Sequence, residues 1–272
     1  MTTLFGRTAR LTIGDTLIED LRIGFNVTRT LKKEPNTAEI AVWNLSRSRR
    51  DQLSREEDLP VVLEAGLGDR LSVLFAGELR FARSMPEGNG DWITTLSNGD
   101  KDKQFRTARV ARSYRPGVDG ERMLKDLLGD LGAGLGNLVE TIKGGSIPDL
   151  GSVVGRGVSF SGSAAKVAED VLKSAGYEYS IQNGVLQVLE RNKPLAGRFI
   201  DLSPTTGLLG VPAIDDKGVV EFQSLMVPDM DPGIQCKITS STFNGDVRVE
   251  TVRTTGDTRG QDYGHRCEGK AL

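Results

Sequence analysis

One histidine, His265, and two cysteines, Cys236 and Cys267, are the whole supply of imidazole and thiol in 272 residues. Zinc sites draw three or four ligands from such side chains, so these residues cannot form a metal site alone. Two thiols cannot staple a chain of this length as small secreted domains are stapled. They could pair if their strands are neighbours, but synthesis in a cytoplasm favours free, buried thiols. No apolar run approaches the roughly 20 residues needed to cross a bilayer, so no membrane insertion is expected. The first residues, MTTLFGRTARL, lack the apolar core of a secretion signal, which predicts folding in a cytoplasm.

An excess of positive charge is missing as well. The formal net charge is −2; residues 1–110 hold 17 basic and 16 acidic side chains, and residues 195–272 hold 8 and 11. A protein that grips phosphates carries a basic surplus, so stable nucleic-acid binding is disfavoured. Gly132, Gly134 and Gly136 invite a phosphate-loop reading. They follow a helical pattern instead of a strand, and no Lys-Ser/Thr pair comes after them, so no nucleotide cofactor is expected.

Catalytic constellations are equally scarce. His265 and Cys267 would share one face of a strand, but a working nucleophile also needs a base in reach and an orienting third group. Asp215-Asp216 and Asp229/Asp231 lie in turn contexts, where Asp is favoured for its local backbone bonds. A glycosidase pair would need a cleft. Trp43 and Trp92 sit in strand patterns, which favours a core or subunit-interface role over sugar stacking. No catalytic, cofactor-binding or metal-binding residue is expected.

What the chain has is turns: 33 glycines beside 38% hydrophobic residues, a composition of all-β or α+β proteins. Its length suits one large domain or two to three small ones. Leu11–Ile13 and Leu21–Val27 read as strands about Gly14-Asp15. Thr37–Leu45 alternates, with Ala38, Ile40 and Val42 on one face and Glu39, Ala41 and Trp43 on the other. Ser46 is placed to cap a short helix over Arg47–Leu53. Pro60–Gly66 and Leu71–Ala76 form a hairpin about Gly68-Asp69. Gly77–Met85 continues as strand, Asp91–Ser97 returns, and Gln104–Ser113 is expected to close this unit.

From Gly117 the texture changes. Asp119 can cap a helix whose apolar stripe is Met123, Leu124, Leu127, Leu128 and Leu131. Residues 129–157 are Gly-rich, and this segment is expected to be mobile. Ser163 can cap a second helix carrying Val167, Ala168, Val171 and Leu172, stopped by Gly176. A hairpin about Asn183-Gly184 follows.

The last third reads as short strands: Val219–Met226, Ile234–Ser240, Asp246–Thr254 and Tyr263–Leu272. Along the third, Val247, Val249, Thr251 and Arg253 alternate with Arg248, Glu250 and Val252. Pro228 and Asp229 with Pro232 and Gly233 mark one turn. Asn244-Gly245 marks a hairpin needing positive φ at both residues, and Gly256-Asp257-Thr258-Arg259-Gly260 a flexible polar loop.

Three stretches resemble tailed-phage baseplate hub proteins of the late-control, protein D-like kind. One is the series of a loop around Gly210-Val211-Pro212, the run Leu225-Met226-Val227-Pro228-Asp229-Met230-Asp231-Pro232-Gly233, and the Gly256–Gly260 loop before a final strand. Another is Pro35-Asn36 followed by Ala38, Ile40, Val42, Asn44-Leu45 and a polar helix. The last is the helix-plus-hairpin over 163–190. Where such proteins often have an aromatic-rich final strand, this chain has Tyr263, Gly264, His265, Arg266 and Cys267.

The resemblance implies an α+β, mainly β fold with two tail-tube-like antiparallel β-barrel units, 1–116 and 195–272, joined by an α/β middle segment, 117–194. It implies a non-catalytic virion protein of the tail baseplate, assembled in the host cytoplasm. Three chains would close a ring of six barrels around the channel for DNA passage. Its partners would be the tail tube or distal tail protein, the central spike protein, other baseplate proteins and the tape measure protein. If the C-terminal unit lines a tube, Glu221, Asp246 and Glu250 are the candidate channel-lining residues. The rival from another class is a monomeric carbohydrate-binding or cell-wall-degrading tail-tip β-protein.

Overall fold

Apolar and polar residues alternate at both ends of the chain, and both ends are built of strands. The computed structural model describes residues 6–32, 36–88, 90–99, 107–118, 120–132, 134, 136–137 and 155–272. Contacts divide the chain into two compact units, one of Met1–Thr30, Asn36–Asp100 and Pro194–Leu272, the other of Leu31–Pro35 and Lys101–Lys193. In chain order the first unit starts with β1 (Arg7–Ile13), β2 (Thr16–Ile18), β3 (Ile23–Thr30), β4 (Thr37–Trp43), helix α1 (Arg47–Leu53), β5 (Pro60–Leu67), β6 (Arg70–Pro86) and β7 (Trp92–Gly99). The second unit holds β8 (Arg109–Tyr114), α2 (Gly120–Gly129), β9 (Val158–Ser163), α3 (Ala164–Ser174), β10 (Tyr177–Gln182) and β11 (Val185–Glu190). The first unit resumes with β12 (Phe199–Leu202), β13 (Leu208–Ile214), β14 (Val219–Leu225), β15 (Gln235–Thr239), β16 (Asn244–Asp257) and β17 (Tyr263–Ala271).

The class is mainly β, as expected, and the sheets are antiparallel apart from the parallel pair of β12 with β15. The first unit is one 13-stranded sheet in the order β13-β14-β17-β16-β3-β4-β7-β6-β5-β1-β2, with β15 and β12 branching from β16. Among the described residues the pairing is an open series in which no barrel closes. The chain's two ends, expected as separate units, are hydrogen-bonded to each other through β3 and β16.

β16 makes this possible by dividing one edge between two partners. Asn244–Arg248 pairs with β15, Thr251–Asp257 pairs with β3, and β17 runs along the opposite edge. At the changeover the register with β17 shifts between Val249 and Thr251. Val247 and Val249 are buried, and strict alternation would carry Arg253 to the same face. The bulge delivers Val252 and Thr254 instead, both fully buried, and leaves Arg253 in solvent. The simple alternation read from the sequence is therefore broken by one residue.

Two hydrophobic clusters fill this unit. One collects inward side chains of β1 to β7, among them Leu11, Phe25, Ile40, Leu63, Phe75 and Leu96, and takes Met226 and Tyr263 from the far end of the chain. The other gathers Val220, Phe222, Ile234, Cys236, Val249 and Cys267. The short helix α1 spans the expected residues, and Ser46 caps it by accepting from Arg49 N at 3.3 Å.

Two turn assignments are corrected. Asn244 and Gly245 open β16, facing Thr239 and Ile238, and neither has positive φ. The hairpin is made by residues 240–243, where Ser240 Oγ accepts from Thr242 N and Phe243 N at 3.3 and 2.9 Å. Ser and Thr hydroxyls bonding their own backbone substitute here for an Asn-Gly turn. Gly256 and Asp257 are likewise the last residues of β16 and not loop. Gly256 is needed for room: a Cβ there would stand 2.2 Å from Phe25 Cζ.

In the second unit β8 pairs with β9, so this strand does not close the first unit as expected. The stripe on α2 is fully buried and meets Ala168, Val171 and Leu172 of α3, Tyr179 and Leu186. Ser163 makes no side-chain cap, and Gly176 ends α3 at φ 83°. Asn183 and Gly184 carry φ of 54° and 75°, the primed turn expected for this hairpin. Gly134 and Gly136 serve close packing on β11. Gly134 N donates to Gly184 O at 2.9 Å, and a Cβ on Gly136 would stand 1.7 Å from Leu186 O. The proposed cap Asp119, and the expected mobility over most of 129–157, lie outside the described residues.

Gly256→Ala should lower unfolding free energy by about 1–3 kcal/mol, because the new methyl forces Phe25 from its site. Gly245→Val, in ordinary strand geometry, should cost less than about 1 kcal/mol. Urea melts of the two variants check this contrast, which a positive-φ turn at Gly245 would reverse.

Candidate functional site

Apolar alternation along β3 places Ile23, Phe25 and Val27 inward, and the next inward position is an arginine. Arg29 is 2% exposed. Its guanidinium donates to Met230 O at 2.7 Å and pairs with the Asp231 carboxylate. A buried cation needs such partners, since desolvation alone would cost several kcal/mol. The turn residues supply them: Asp229 takes φ 61° and Gly233 takes φ 95°, and the bends at Pro228-Asp229 and Pro232-Gly233 hold Met230 and Asp231 against β3.

Two further arginines tie the same seam from outside. Arg22 contacts both Asp257 oxygens, at 2.7 Å from Nη2 to Oδ2 and 3.1 Å from Nε to Oδ1, and its guanidinium lies 4.1 Å over the Trp43 ring. That bond holds the Asp257 carboxyl below its usual range against the opposing effect of burial. Arg7 donates to Gln261 O at 2.7 Å and lies 5.3 Å over Tyr263. Tyr263 donates to Thr8 O at 2.6 Å and accepts from Gly66 N at 3.3 Å, and burial pushes its phenol up to about 12. Gly260 completes the loop, its N–H donating to Asp257 O at 3.3 Å.

His265 and Cys267 do share the inward face of β17, as expected. His265 Nε2 lies 3.1 Å from Val227 O, and a carbonyl can only accept, so Nε2 carries the hydrogen. Nδ1 then accepts from Thr254 Oγ1 at 2.9 Å. Burial, aided by the Arg29 charge, lowers its pKa to about 3. Burial also raises both thiols, Cys236 to about 12 and Cys267 further, and both are free. The pair is thus engaged in packing and in fixing a neutral tautomer, and neither group is poised as a nucleophile.

The opposite face of the C-terminal strands is charged. Val220, Phe222, Val247, Val249, His265 and Cys267 point to the core, so Glu221, Asp246, Glu250 and Arg266 lie on the other side. Glu221 meets Arg266 at 3.4 Å, and Glu250 meets Arg248 at 3.1 Å and Lys270 at 3.2 Å. The three candidate channel residues therefore share a face, and two of them are neutralised by basic neighbours. Asp246 faces Lys237 across the β15–β16 ladder. Trp43 is half-buried and Trp92 exposed, each beneath a guanidinium; Arg50 lies 3.8 Å over Trp92.

Sequence reading missed Arg7, Arg22, Arg29 and Tyr263. For Arg29 a signal existed: a charge at the fourth inward position of an alternating strand.

No family model matches the chain, and no curated protein matches it. Its fold is that of phage tail proteins. The 43 kDa tail protein of prophage MuSo2 from Shewanella oneidensis superposes with a TM-score of 0.68 at 8% identity, covering 98% of this chain and 97% of the other. A tail protein from Neisseria meningitidis gives 0.64 at 9% identity, over 98% and 97%. The E. coli c3393 protein, a type VI secretion component similar to bacteriophage tail proteins gp27 and gp5, gives 0.61 at 10% identity, over 96% and 76%.

The lowered His265 pKa makes a signed prediction. The unfolded histidine takes up a proton near pH 6.5 and the folded one only near pH 3. Stability from this group is complete above pH 6.5 and falls by about 1.4 kcal/mol per unit as pH drops toward 3. Urea titrations at stepped pH should show that slope, and His265→Gln should flatten it. Arg29→Met should cost about 1–3 kcal/mol at neutral pH by removing the buried partner of Asp231, which keeps only Arg198 at 3.7 Å.

Proposed function

We propose that this chain is a structural component of a phage tail baseplate: a homotrimeric hub that joins the tail tube to the central spike and surrounds the channel for DNA. The observation that carries this reading is the β3–β16 ladder, which locks two strand-rich halves of one chain side by side. The fold shared with tail proteins over nearly the whole chain supports it. Residues 1–100 and 195–272 act as two tube-like halves in this reading, and the stretch between them as the middle segment. Three chains give six halves, matching a hexameric tube on one side and a trimeric spike on the other. The tail tube or distal tail protein, the spike, other baseplate proteins and the tape measure protein are the partners, and the protein resides in the virion tail.

The charged face bearing Glu221, Asp246 and Glu250 is the side we assign to the channel. Paired charges of both signs suit a wall that DNA must pass without sticking, since phosphates are held only where cations stand unopposed. The rival is a monomeric tail-tip protein that binds or cuts cell-wall sugars; a nucleophile–base pair of His and Cys is not open to it. The one histidine and both thiols are buried in packing.

Light scattering on the purified protein should give three times the chain mass of 29.4 kDa. A monomer that binds peptidoglycan fragments would favour the rival. Glu221→Lys, at an exposed pair, should change stability by less than about 1 kcal/mol. Glu250→Lys should cost about 1–3 kcal/mol, because it leaves the nearly buried Arg248 facing a like charge. In assembled particles Glu221→Lys should slow DNA ejection at low salt and not at high salt.

A further inference from the structure

Exposed large apolar side chains gather in two places on the first unit. β13 carries Leu209 and Ile214 on opposite faces, paired with Gln223 and Val220, and Val211, 61% exposed, in the bulge between them. β6 carries Phe81 and Met85 on one face, 57% and 49% exposed, with Ile93 of β7 opposite Met85. Their positions correspond. From the junction, β16-β17-β14-β13 leads to one group and β3-β4-β7-β6 leads to the other, three strands out in each direction. Each half thus has an apolar group on the strand equally far from the seam that joins it to its sister half.

Each group has an ion beside it with no partner among the described residues. Arg83 lies between Phe81 and Met85 on the same exposed face of β6. Asp216, also exposed, follows two residues after Ile214. One group is apolar with a free cation, the other apolar with a free anion.

We propose that β13 of one copy of this chain docks on the Phe81–Met85 face of β6 in the next copy, with Asp216 meeting Arg83. The contact uses two different surfaces and is head-to-tail, the type of interface that a closed ring of copies requires. This rests on the trimeric reading and names its interface. Backbone pairing is not the means. Between Leu209 and Ala213 the register of β13 shifts, Gly210 takes φ 66°, and Pro212 has no N–H to donate. The bulge instead holds Val211 out as a knob for the neighbouring face.

A charge exchange tests it in the full-length protein. Arg83→Glu alone and Asp216→Arg alone should each raise the concentration of half-assembly about tenfold or more, by sedimentation, through like-charge repulsion. The combined R83E/D216R variant should recover assembly, which damage to folding cannot produce. Introducing V211C with F81C should give an oxidant-dependent covalent oligomer, since Cys236 and Cys267 are buried and cannot compete. A wild-type trimer that neither single substitution weakens, or singles that the double fails to rescue, would overturn this interface and leave the trimer standing. A wild-type monomer at all concentrations would overturn the trimer as well.

Discussion

A strand has two edges, and each stretch of an edge can hydrogen-bond one neighbour. β16 satisfies that limit by giving the first part of one edge to β15 and the second to β3. The larger unit depends on that division. It makes thirteen strands from two distant parts of the chain into one sheet, and it sets where the two hydrophobic clusters stop. The one-residue bulge at the changeover is part of the same solution, because both parts of β16 must show apolar side chains to the same side.

Where the clusters meet, the interior turns polar. Arg29, Asp231, Thr254, His265 and Ser224 form a seam, and most of their hydrogen-bonding groups have partners. Apolar residues of similar volume would often give equal or greater stability than such a buried ion pair. What the polar set adds is selectivity. The terminal nitrogens of Arg29 find partners only when Met230 and Asp231 arrive beneath them, and His265 only when Thr254 and Val227 flank it. A slipped register of β16 on β3 would strand a buried cation, a far larger penalty than a mispacked methyl group. The arginines at positions 7 and 22 repeat the logic at the surface, each holding a group more than two hundred residues away.

Most elements were legible from the residues alone. Periodicity and caps located α1, the α2 stripe, the Asn183-Gly184 hairpin and the strands with clean alternation, because those depend on neighbours close in sequence. The misreadings have a common cause. Asn244-Gly245 has a turn-forming composition, yet Ser240 supplies a local hydroxyl that closes the hairpin four residues earlier. Gly256 looked like loop because glycine is rare inside strands, and only the ring of Phe25 explains it. β12 was missed since it is only four residues long, and β13 since Gly210 and Pro212 break its run. The pairing of β3 with β16 has no local signature at all. Of the candidate site, the charged face could be read from alternation, while the salt links that neutralise it could not.

The arrangement also has consequences for synthesis. Thr8 waits for Tyr263, which is 255 residues later in the chain. At bacterial elongation rates that interval is on the order of ten seconds or longer. Throughout it, the open edge of β3 and the unfilled part of the first core stand without their native covers. The middle stretch, Lys101–Lys193, is continuous apart from a short piece of the preceding chain and can complete its own core meanwhile. The nascent protein therefore carries a finished domain between an unfinished one and the ribosome. Its most vulnerable interval ends only when β16 and β17 emerge, so those two strands govern how long β3 remains open to wrong partners.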